Sequence, residues 1–85
     1  MAPVTIYTTQ LCPYCDMAKQ LLGRKNVPYE EIDVTGRSDL RETMRIKAGG
    51  RNSVPQIWIG DRHVGGCDDL YALDSRGGLD PLLNA

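Results

Sequence analysis

The sequence predicts an α/β fold in which a four-stranded mixed sheet, built in the order β-α-β-α-β-β-α, carries helices on both faces. Three observations support it: a first segment, Val4–Tyr7, rich in β-branched and aromatic residues and followed by three further short strand candidates, intervening stretches with apolar residues at helical spacing, and a tight Gly60-Asp61 turn. A helical crossover makes the first two strands parallel, whereas the tight turn makes the last two antiparallel. With 85 residues, the chain is expected to form one domain over residues 1–85.

The first strand and helix are the most clearly marked elements. A strand is predicted over Val4–Tyr7, and the following helix begins at Cys12 because Pro13 fits only its first turn, where a missing N–H costs nothing. Asn26 is expected to be a left-handed cap, since Pro28 prevents the helix from continuing. The apolar residues that share one face of this helix are Tyr14, Met17, Ala18, Leu21 and Leu22.

The remaining elements follow from similar signals. Ser38 is expected to cap the second helix, Cys67 to lie at the N-cap of the third, and Gly77 to end it. Tyr7 and Trp58 are expected to be buried, and His63 to be a surface strand residue rather than a catalytic base. The predicted segments are strands over 29–34, 56–59 and 62–64, helices over 38–48 and 67–76, and a capped turn over 80–83.

Composition and charge exclude several classes of function. A hydrophobic share of 41%, a charged share of 25% and a net charge of −1 are those of an ordinary globular protein. They argue against disorder and against nucleic-acid binding through bulk positive charge. No apolar run approaches the roughly 18 residues of a membrane span, and the segment Met1-Ala2-Pro3-Val4 does not resemble a secretory signal. We therefore expect a cytoplasmic protein whose cysteines are kept reduced.

The strongest functional signal is the motif Cys12-Pro13-Tyr14-Cys15 between the first strand and the first helix. A Cys-x-x-Cys motif at such a junction is typical of thioredoxin-like redox proteins, although the motif by itself also occurs in zinc sites. The free N–H groups and the partial positive charge of the helix N-terminus favour a thiolate at Cys12. Cys15, one turn into the helix, is then placed to resolve a mixed disulfide at Cys12.

A second motif, Ser53-Val54-Pro55, precedes the third strand. Proline cannot donate a hydrogen bond to a sheet, so at this position it either begins an edge or turns the chain. Because only about 5–6% of such bonds are cis in folded proteins, the residues alone favour a trans Val54-Pro55 bond.

Three stretches together resemble the signatures of the dithiol glutaredoxin family: Cys12-Pro13-Tyr14-Cys15, Ser53-Val54-Pro55, and Gly65-Gly66-Cys67-Asp68-Asp69-Leu70. The resemblance covers residues 4–83, and the run 65–83 is similar to the bacterial glutaredoxin 3 group. It implies a thioredoxin fold and a monomeric, glutathione-dependent thiol–disulfide oxidoreductase. Such an enzyme reduces protein disulfides by a dithiol route and glutathionylated thiols by a monothiol route. Glutathione would be the reducing co-substrate, no cofactor would be tightly bound, and protein substrates would include ribonucleotide reductase.

The resemblance also implies a role for individual residues. Cys12 would be the nucleophile and Cys15 the resolving thiol. Pro55 would be a cis-proline, contrary to the trans expectation, leaving the backbone of Val54 open to pair with glutathione. Asp68 would accept a hydrogen bond from the ammonium group of the γ-glutamyl end. The full set of expected glutathione-binding residues is Tyr14, Ser53, Val54, Pro55, Gly66, Cys67 and Asp68.

The chain departs from the family pattern near the nucleophile. Many members carry a lysine shortly before the first cysteine, where this chain has Thr8, Thr9 and Gln10. Asp16 is acidic and close, and Lys19 lies about two turns along the helix, too far to help strongly. Support for the Cys12 thiolate must therefore come mainly from the helix terminus. Ser53 replaces the more usual threonine and keeps its hydroxyl.

Alternative interpretations remain open. Cys12, Cys15, His63 and Cys67 could form a Cys₃His zinc set, although the first two fit a reactive helix terminus better. A [2Fe–2S] cluster held by Cys12 and glutathione is disfavoured by Pro13, and a catalytically silent interaction domain by the intact motifs. Cys67 is expected to be a packed thiol rather than a site of glutathionylation.

The basic residues of the second helix and the loop after it suggest a narrower hypothesis. Lys47 or Arg51, near the Ser53-Val54-Pro55 motif, could attract the glycine carboxylate of glutathione. The helix face that carries Arg37, Arg41 and Arg45 is otherwise expected to be a solvated surface.

Overall fold

A computed structural model describes residues 1–85. The strands form one sheet in the order β2-β1-β3-β4, in which β1 is parallel to β2 and antiparallel to β3, and β3 is antiparallel to β4. The predicted four-stranded mixed sheet is therefore confirmed, and a short fourth helix follows it. In chain order the elements are β1 (Val4–Thr8), α1 (Pro13–Arg24), β2 (Glu30–Asp33), α2 (Ser38–Lys47), β3 (Gln56–Ile59), β4 (Arg62–Gly65), α3 (Cys67–Ser75) and α4 (Leu79–Leu83).

The two central strands separate two hydrophobic clusters. Successive side chains of a strand point to opposite faces, so Ile6 and Ile57 lie in a cluster with residues of α1, α3 and α4. Trp58, next to Ile57, instead joins a smaller cluster with Tyr7 and with Met44 of α2. Helices consequently pack on both faces, as predicted. No helix has the length and apolar character needed to cross a membrane.

Two helix caps differ from the prediction. Ser38 is the first residue of α2 and its side chain caps nothing, because the N-cap position belongs to Arg37. Cys67 likewise lies inside α3, since Gly66 is the N-cap and its N–H is bonded by the carboxylate of Asp69. Asn26 has the expected positive φ of 57°, one residue beyond the C-cap of α1.

The topology brings three loops to one end of the sheet. Tyr7, near the end of β1, is paired with Gln56 at the start of β3. Ile57 is in turn paired with Gly65, the last residue of β4. The loop after β1, the loop before β3 and the N-terminus of α3 therefore meet at this end, where all three sequence motifs lie.

Candidate active site

Cys12 and Cys15 are joined by a disulfide at the N-terminus of α1, with their Cα atoms 5.2 Å apart. Cys12 is the N-cap residue, with an extended backbone, and its Sγ accepts a hydrogen bond from the backbone N–H of Cys15 at 3.1 Å. Cys12 is half-buried, whereas Cys15 is only 1% exposed. Of the two sulfurs, that of Cys12 is thus the one open to an incoming substrate, and that of Cys15 is the one shielded.

The residue before the disulfide has an unusual conformation. Leu11 has a φ of +53°, a left-handed backbone that L-residues other than glycine, asparagine and aspartate rarely adopt. Its side chain is fully exposed and contributes nothing to either hydrophobic cluster. This turn carries the chain from β1 into α1 and sets Cys12 at the helix terminus.

A groove of about 260 Å³ runs from the Cys-Pro-Tyr-Cys motif to the N-terminus of α3. Six of the seven expected glutathione-binding residues line it, and Val54 is the one that does not. Two lining residues, Arg51 and Asp69, were outside that expected set. The complete lining is Tyr14, Arg51, Ser53, Pro55, Gly66, Cys67, Asp68 and Asp69.

Beside this groove the Val54-Pro55 peptide bond is cis. The expectation taken from the family resemblance is thus confirmed, and the trans expectation from the residues alone is wrong. The side chain of Val54 packs against the smaller hydrophobic cluster, while its backbone N–H and C=O form no hydrogen bond within the chain. An extended peptide could pair with these two groups as a strand pairs with a sheet edge.

Arg51 and Asp69 close the far end of the groove. The Oδ2 of Asp69 accepts hydrogen bonds from the Gly66 N–H at 2.9 Å and from Nη1 of Arg51 at 3.2 Å. The bond from Gly66, with a smaller contribution from Arg51, lowers the pKa of Asp69 below its ordinary range. Gly65 has a φ of +118°, and a Cβ there would collide with the Asp69 carboxylate. An acidic residue three positions after the N-cap was the available sequence signal for this contact.

Comparison with known proteins shows which family the chain belongs to. The family model described as glutaredoxin matches residues 4–64. The chain belongs to the glutaredoxin family. It is 59% identical to glutaredoxin 3 of Escherichia coli (strain K12) over 83 residues, which are 98% of this chain and 99% of that protein. Glutaredoxins are glutathione-dependent thiol–disulfide oxidoreductases with a Cys-x-x-Cys active site, and this activity and the Cys12–Cys15 redox disulfide are those of the present chain.

Solved glutaredoxin structures support the same assignment. The solution structure of glutaredoxin from Brucella melitensis matches with a TM-score of 0.85 and 54% identity, covering 98% of this chain and 89% of that one. The crystal structure of a buckwheat glutaredoxin–glutathione complex matches with a TM-score of 0.88 and 28% identity, covering 98% and 77% of the two chains. The predicted thioredoxin fold is confirmed.

The charges near the redox pair compensate one another in this glutaredoxin. Asp16, the acidic residue close to Cys12, lies 3.7 Å from the ammonium group of Lys19. The same ammonium lies 3.1 Å from Glu31, which also accepts a hydrogen bond from the Thr8 hydroxyl at 2.7 Å. This hydrogen bond, together with Lys19, lowers the pKa of Glu31. Lys19 therefore offsets part of the negative charge of Asp16 without contacting Cys12.

Cys67 is a packed thiol, as predicted, even though it borders the glutaredoxin groove. It is 5% exposed and belongs to the larger hydrophobic cluster. Burial, and to a lesser extent the charge of Asp68, raises the pKa of the Cys67 thiol. Its thiolate is consequently scarce at neutral pH, and its reactivity is expected to be low.

The basic residues outside the groove have other partners. Lys47 lies over the ring of Trp58, with its ammonium 4.5 Å from the ring centroid, and does not line the groove. Arg37 and Arg45 pair with Asp39 and Glu42 on the surface of α2. No three His, Cys, Asp or Glu side chains come together in an arrangement that could hold a metal ion.

Proposed function

We propose that the groove beside Cys12 binds glutathione and glutathionylated substrates, with Cys12 as nucleophile and Cys15 as resolving thiol. The observation that carries the proposal is that Tyr14, Ser53, Pro55, Gly66, Cys67 and Asp68 line one groove next to the redox disulfide. The glutathione complex of the buckwheat glutaredoxin, which shares the fold, also supports it.

Two parts of glutathione, the backbone around its cysteine and its γ-glutamyl end, meet matching chemistry in the groove. The open N–H and C=O of Val54 suit the peptide backbone around the glutathione cysteine. At the N-terminus of α3, backbone N–H groups suit the γ-glutamyl carboxylate, and the exposed Asp68 carboxylate suits its ammonium group. The thiol of glutathione would then lie toward Cys12.

The monothiol route needs Cys12 alone. Its thiolate attacks the glutathione sulfur of a glutathionylated protein, which forms a Cys12–glutathione disulfide and releases the protein thiolate. The thiolate of a second glutathione attacks the glutathione sulfur of this intermediate. Oxidised glutathione leaves and the Cys12 thiolate is restored.

The dithiol route uses both cysteines. Cys12 attacks a protein disulfide and forms a mixed disulfide with one protein sulfur, releasing the other as a thiolate. Cys15 then attacks Cys12, releasing the reduced protein and forming the Cys12–Cys15 disulfide that the structure contains. Two glutathione molecules reduce this disulfide in succession, the first by attack on the exposed sulfur of Cys12.

A Cys15→Ser variant tests this division of labour. We expect it to keep reduction of a glutathionylated peptide and to lose reduction of a protein disulfide. Cys12→Ser is the matched control and is expected to lose both activities. Equal loss of both activities in Cys15→Ser, or survival of either in Cys12→Ser, would contradict the proposed roles.

The protein substrates are also part of the proposal. Glutathionylated proteins and accessible protein disulfides fit the exposed sulfur of Cys12, and ribonucleotide reductase is the candidate that the family resemblance provides. We propose the cytoplasm as the compartment, because both routes consume reduced glutathione. Turnover of ribonucleotide reductase with glutathione and this chain as its only reductants would test the substrate, and cell fractionation the compartment.

A further inference from the structure

A fully buried glutamine links the groove to the fourth strand. Gln56, the residue after Pro55, is 0% exposed, and its side chain makes contacts in two directions. Its Nε2 lies 3.0 Å from the carbonyl oxygen of Ser53 and 3.3 Å from the Ser53 hydroxyl. Its Oε1 lies 2.7 Å from Nε2 of His63 on β4. Gln56 thus connects His63 to a residue that lines the groove.

The orientation of the Gln56 amide follows from its partners. The carbonyl oxygen of Ser53 can only accept a hydrogen bond, so the amide NH₂ of Gln56 must face it. Its Oε1 then faces His63, and because this oxygen can only accept, Nε2 of His63 must carry a proton. Burial and the charge of Arg51 lower the pKa of His63, despite the opposing effect of the Asp69 carboxylate, and this favours the neutral ring. The hydrogen bond to Gln56 then places the single ring proton on Nε2.

The hydrogen bonds therefore run in one direction. His63 donates to Gln56, and Gln56 donates to the oxygen of the Ser53 hydroxyl. With that lone pair occupied, the hydroxyl proton of Ser53 is directed away from Gln56. In such a series of hydrogen bonds each bond polarises the next, so the Ser53 hydroxyl at its end becomes a better donor.

His63 itself is firmly held. It is half-buried and paired with Trp58 across β3 and β4. The two rings stack with centroids 4.6 Å apart and planes inclined by 21°, and Trp58 is 5% exposed. A ring held in this way presents its Nε2 at a fixed position, which a flexible surface residue would not do.

We infer that His63 is a positioning residue for the substrate groove. Through Gln56 it orients the Ser53 hydroxyl to donate a hydrogen bond to a carboxylate or peptide carbonyl of the bound glutathione. The inference deepens the proposed function and rests on it. His63 is not one of the residues that line the groove, and it is linked to the groove through Gln56 and Ser53. Its effect should therefore fall on binding rather than on the chemical step.

Two substitutions at position 63 separate hydrogen bonding from stacking. His63→Phe keeps an aromatic ring against Trp58 but removes the donor, whereas His63→Gln removes the ring but places an amide N–H near the former Nε2. For reduction of a glutathionylated peptide, we expect His63→Phe to raise KM by roughly two- to tenfold, the worth of one hydrogen bond. Its kcat should stay within about twofold of the original, and His63→Gln should retain the original KM.

Coupling to Ser53 provides a second measurement. Ser53→Ala is expected to raise KM by a similar factor, and His63→Phe should add little further increase in that background. Independent effects of the two substitutions would overturn the inference. So would equal KM values for His63→Phe and His63→Gln, or a loss confined to kcat.

Failure of the inference can be distinguished from failure of the proposed function. If the unmodified protein reduces the peptide in a Cys12-dependent manner but the expected pattern at position 63 is absent, only the role of His63 is wrong. If the unmodified protein shows no saturable turnover of the glutathionylated peptide, the groove assignment itself is wrong. Unfolding midpoints of all variants, measured alongside, show whether a lowered apparent kcat merely reflects an unfolded fraction, which would leave KM unchanged.

Discussion

The Sγ of Cys12 accepts a hydrogen bond from the backbone N–H of Cys15 at 3.1 Å, so the nucleophile is also the N-cap of its own helix. A thiolate is a stronger acceptor than a thiol or a disulfide sulfur, and the same N–H group and helix dipole stabilise it most. The chain thereby has a source of activation that does not depend on the lysine found before the motif in many glutaredoxins.

Alkylation of the reduced protein tests this source of activation. We expect the rate at Cys12 to reach half of its maximum at a pH below the value of about 8.5 typical of an unperturbed thiol. Cys67 should react only after denaturation, because it is buried and its thiol has a raised pKa. Mass spectrometry of peptides labelled across a pH series gives both results. A half-maximum for Cys12 near pH 8.5 would show that the helix terminus does not replace the missing lysine.

Asp69→Asn is expected to destabilise the fold by about 1 kcal/mol at neutral pH, the usual worth of a helix cap. The lowered pKa of Asp69 also predicts how stability varies with pH. The stabilising contribution of the ionised Asp69 carboxylate is complete above its ordinary pKa near 3.8. It is lost as the pH falls through the lower pKa that this carboxylate has in the folded state. Urea unfolding at several pH values should therefore show a smaller loss of stability in acid for Asp69→Asn. An unchanged acid dependence would contradict the assignment of this carboxylate.

Gly65→Ala should be more damaging than the same change at another glycine of positive φ. At Gly65 a Cβ would lie 2.9 Å from Nη1 of Arg51 and would also meet the Asp69 carboxylate, whereas at Gly77 it would meet nothing within 4 Å. We expect a loss of roughly 2–3 kcal/mol for Gly65→Ala and about 1 kcal/mol for Gly77→Ala, measured by denaturant unfolding. Gly65→Ala should also raise KM, because the ion pair that closes the groove must move. Equal effects of the two substitutions on stability would argue against the predicted collision.

Leu11→Gly is expected to stabilise the protein by about 0.5–1 kcal/mol. The left-handed backbone of Leu11 is unfavourable for a leucine, and its exposed side chain has little burial to lose. Asn26→Gly is the matched control: its φ is +57°, but asparagine tolerates that conformation, so little change is expected. Midpoints of urea unfolding compare the two, and a destabilised Leu11→Gly would mean that the leucine makes contacts that its exposure does not suggest.

The fold and the redox pair could be predicted because both depend on local patterns. Helical periodicity after Pro13 and the tight turn at Gly60-Asp61 determine most of the topology, and the Cys12–Cys15 spacing identifies the chemistry. The caps were less predictable. Cys67 resembled an N-cap residue, but Gly66 is the N-cap and the carboxylate of Asp69, three residues later, accepts a hydrogen bond from its N–H.

Contacts between distant segments could not be predicted from the sequence. Arg51 and Asp69 are 18 positions apart and meet only because β3, β4 and α3 return the chain to the same end of the sheet. The bond between His63 and Gln56 depends in the same way on the register of the β3–β4 hairpin. The cis bond before Pro55 required knowledge of the family, because residue preferences favour trans.

The position of the site on the two central strands has a consequence for thermal inactivation. Cys12 follows β1 and Val54 precedes β3, and these strands are paired with each other and flanked by β2 and β4. Moving the nucleophile away from the Val54 backbone would mean unpairing the most protected ladder of the sheet. Such ladders open with the whole domain rather than by local fluctuation. Heating should therefore abolish catalysis at the same temperature at which the amides of β1 and β3 lose their protection from hydrogen exchange. No folded but inactive state should be found in between.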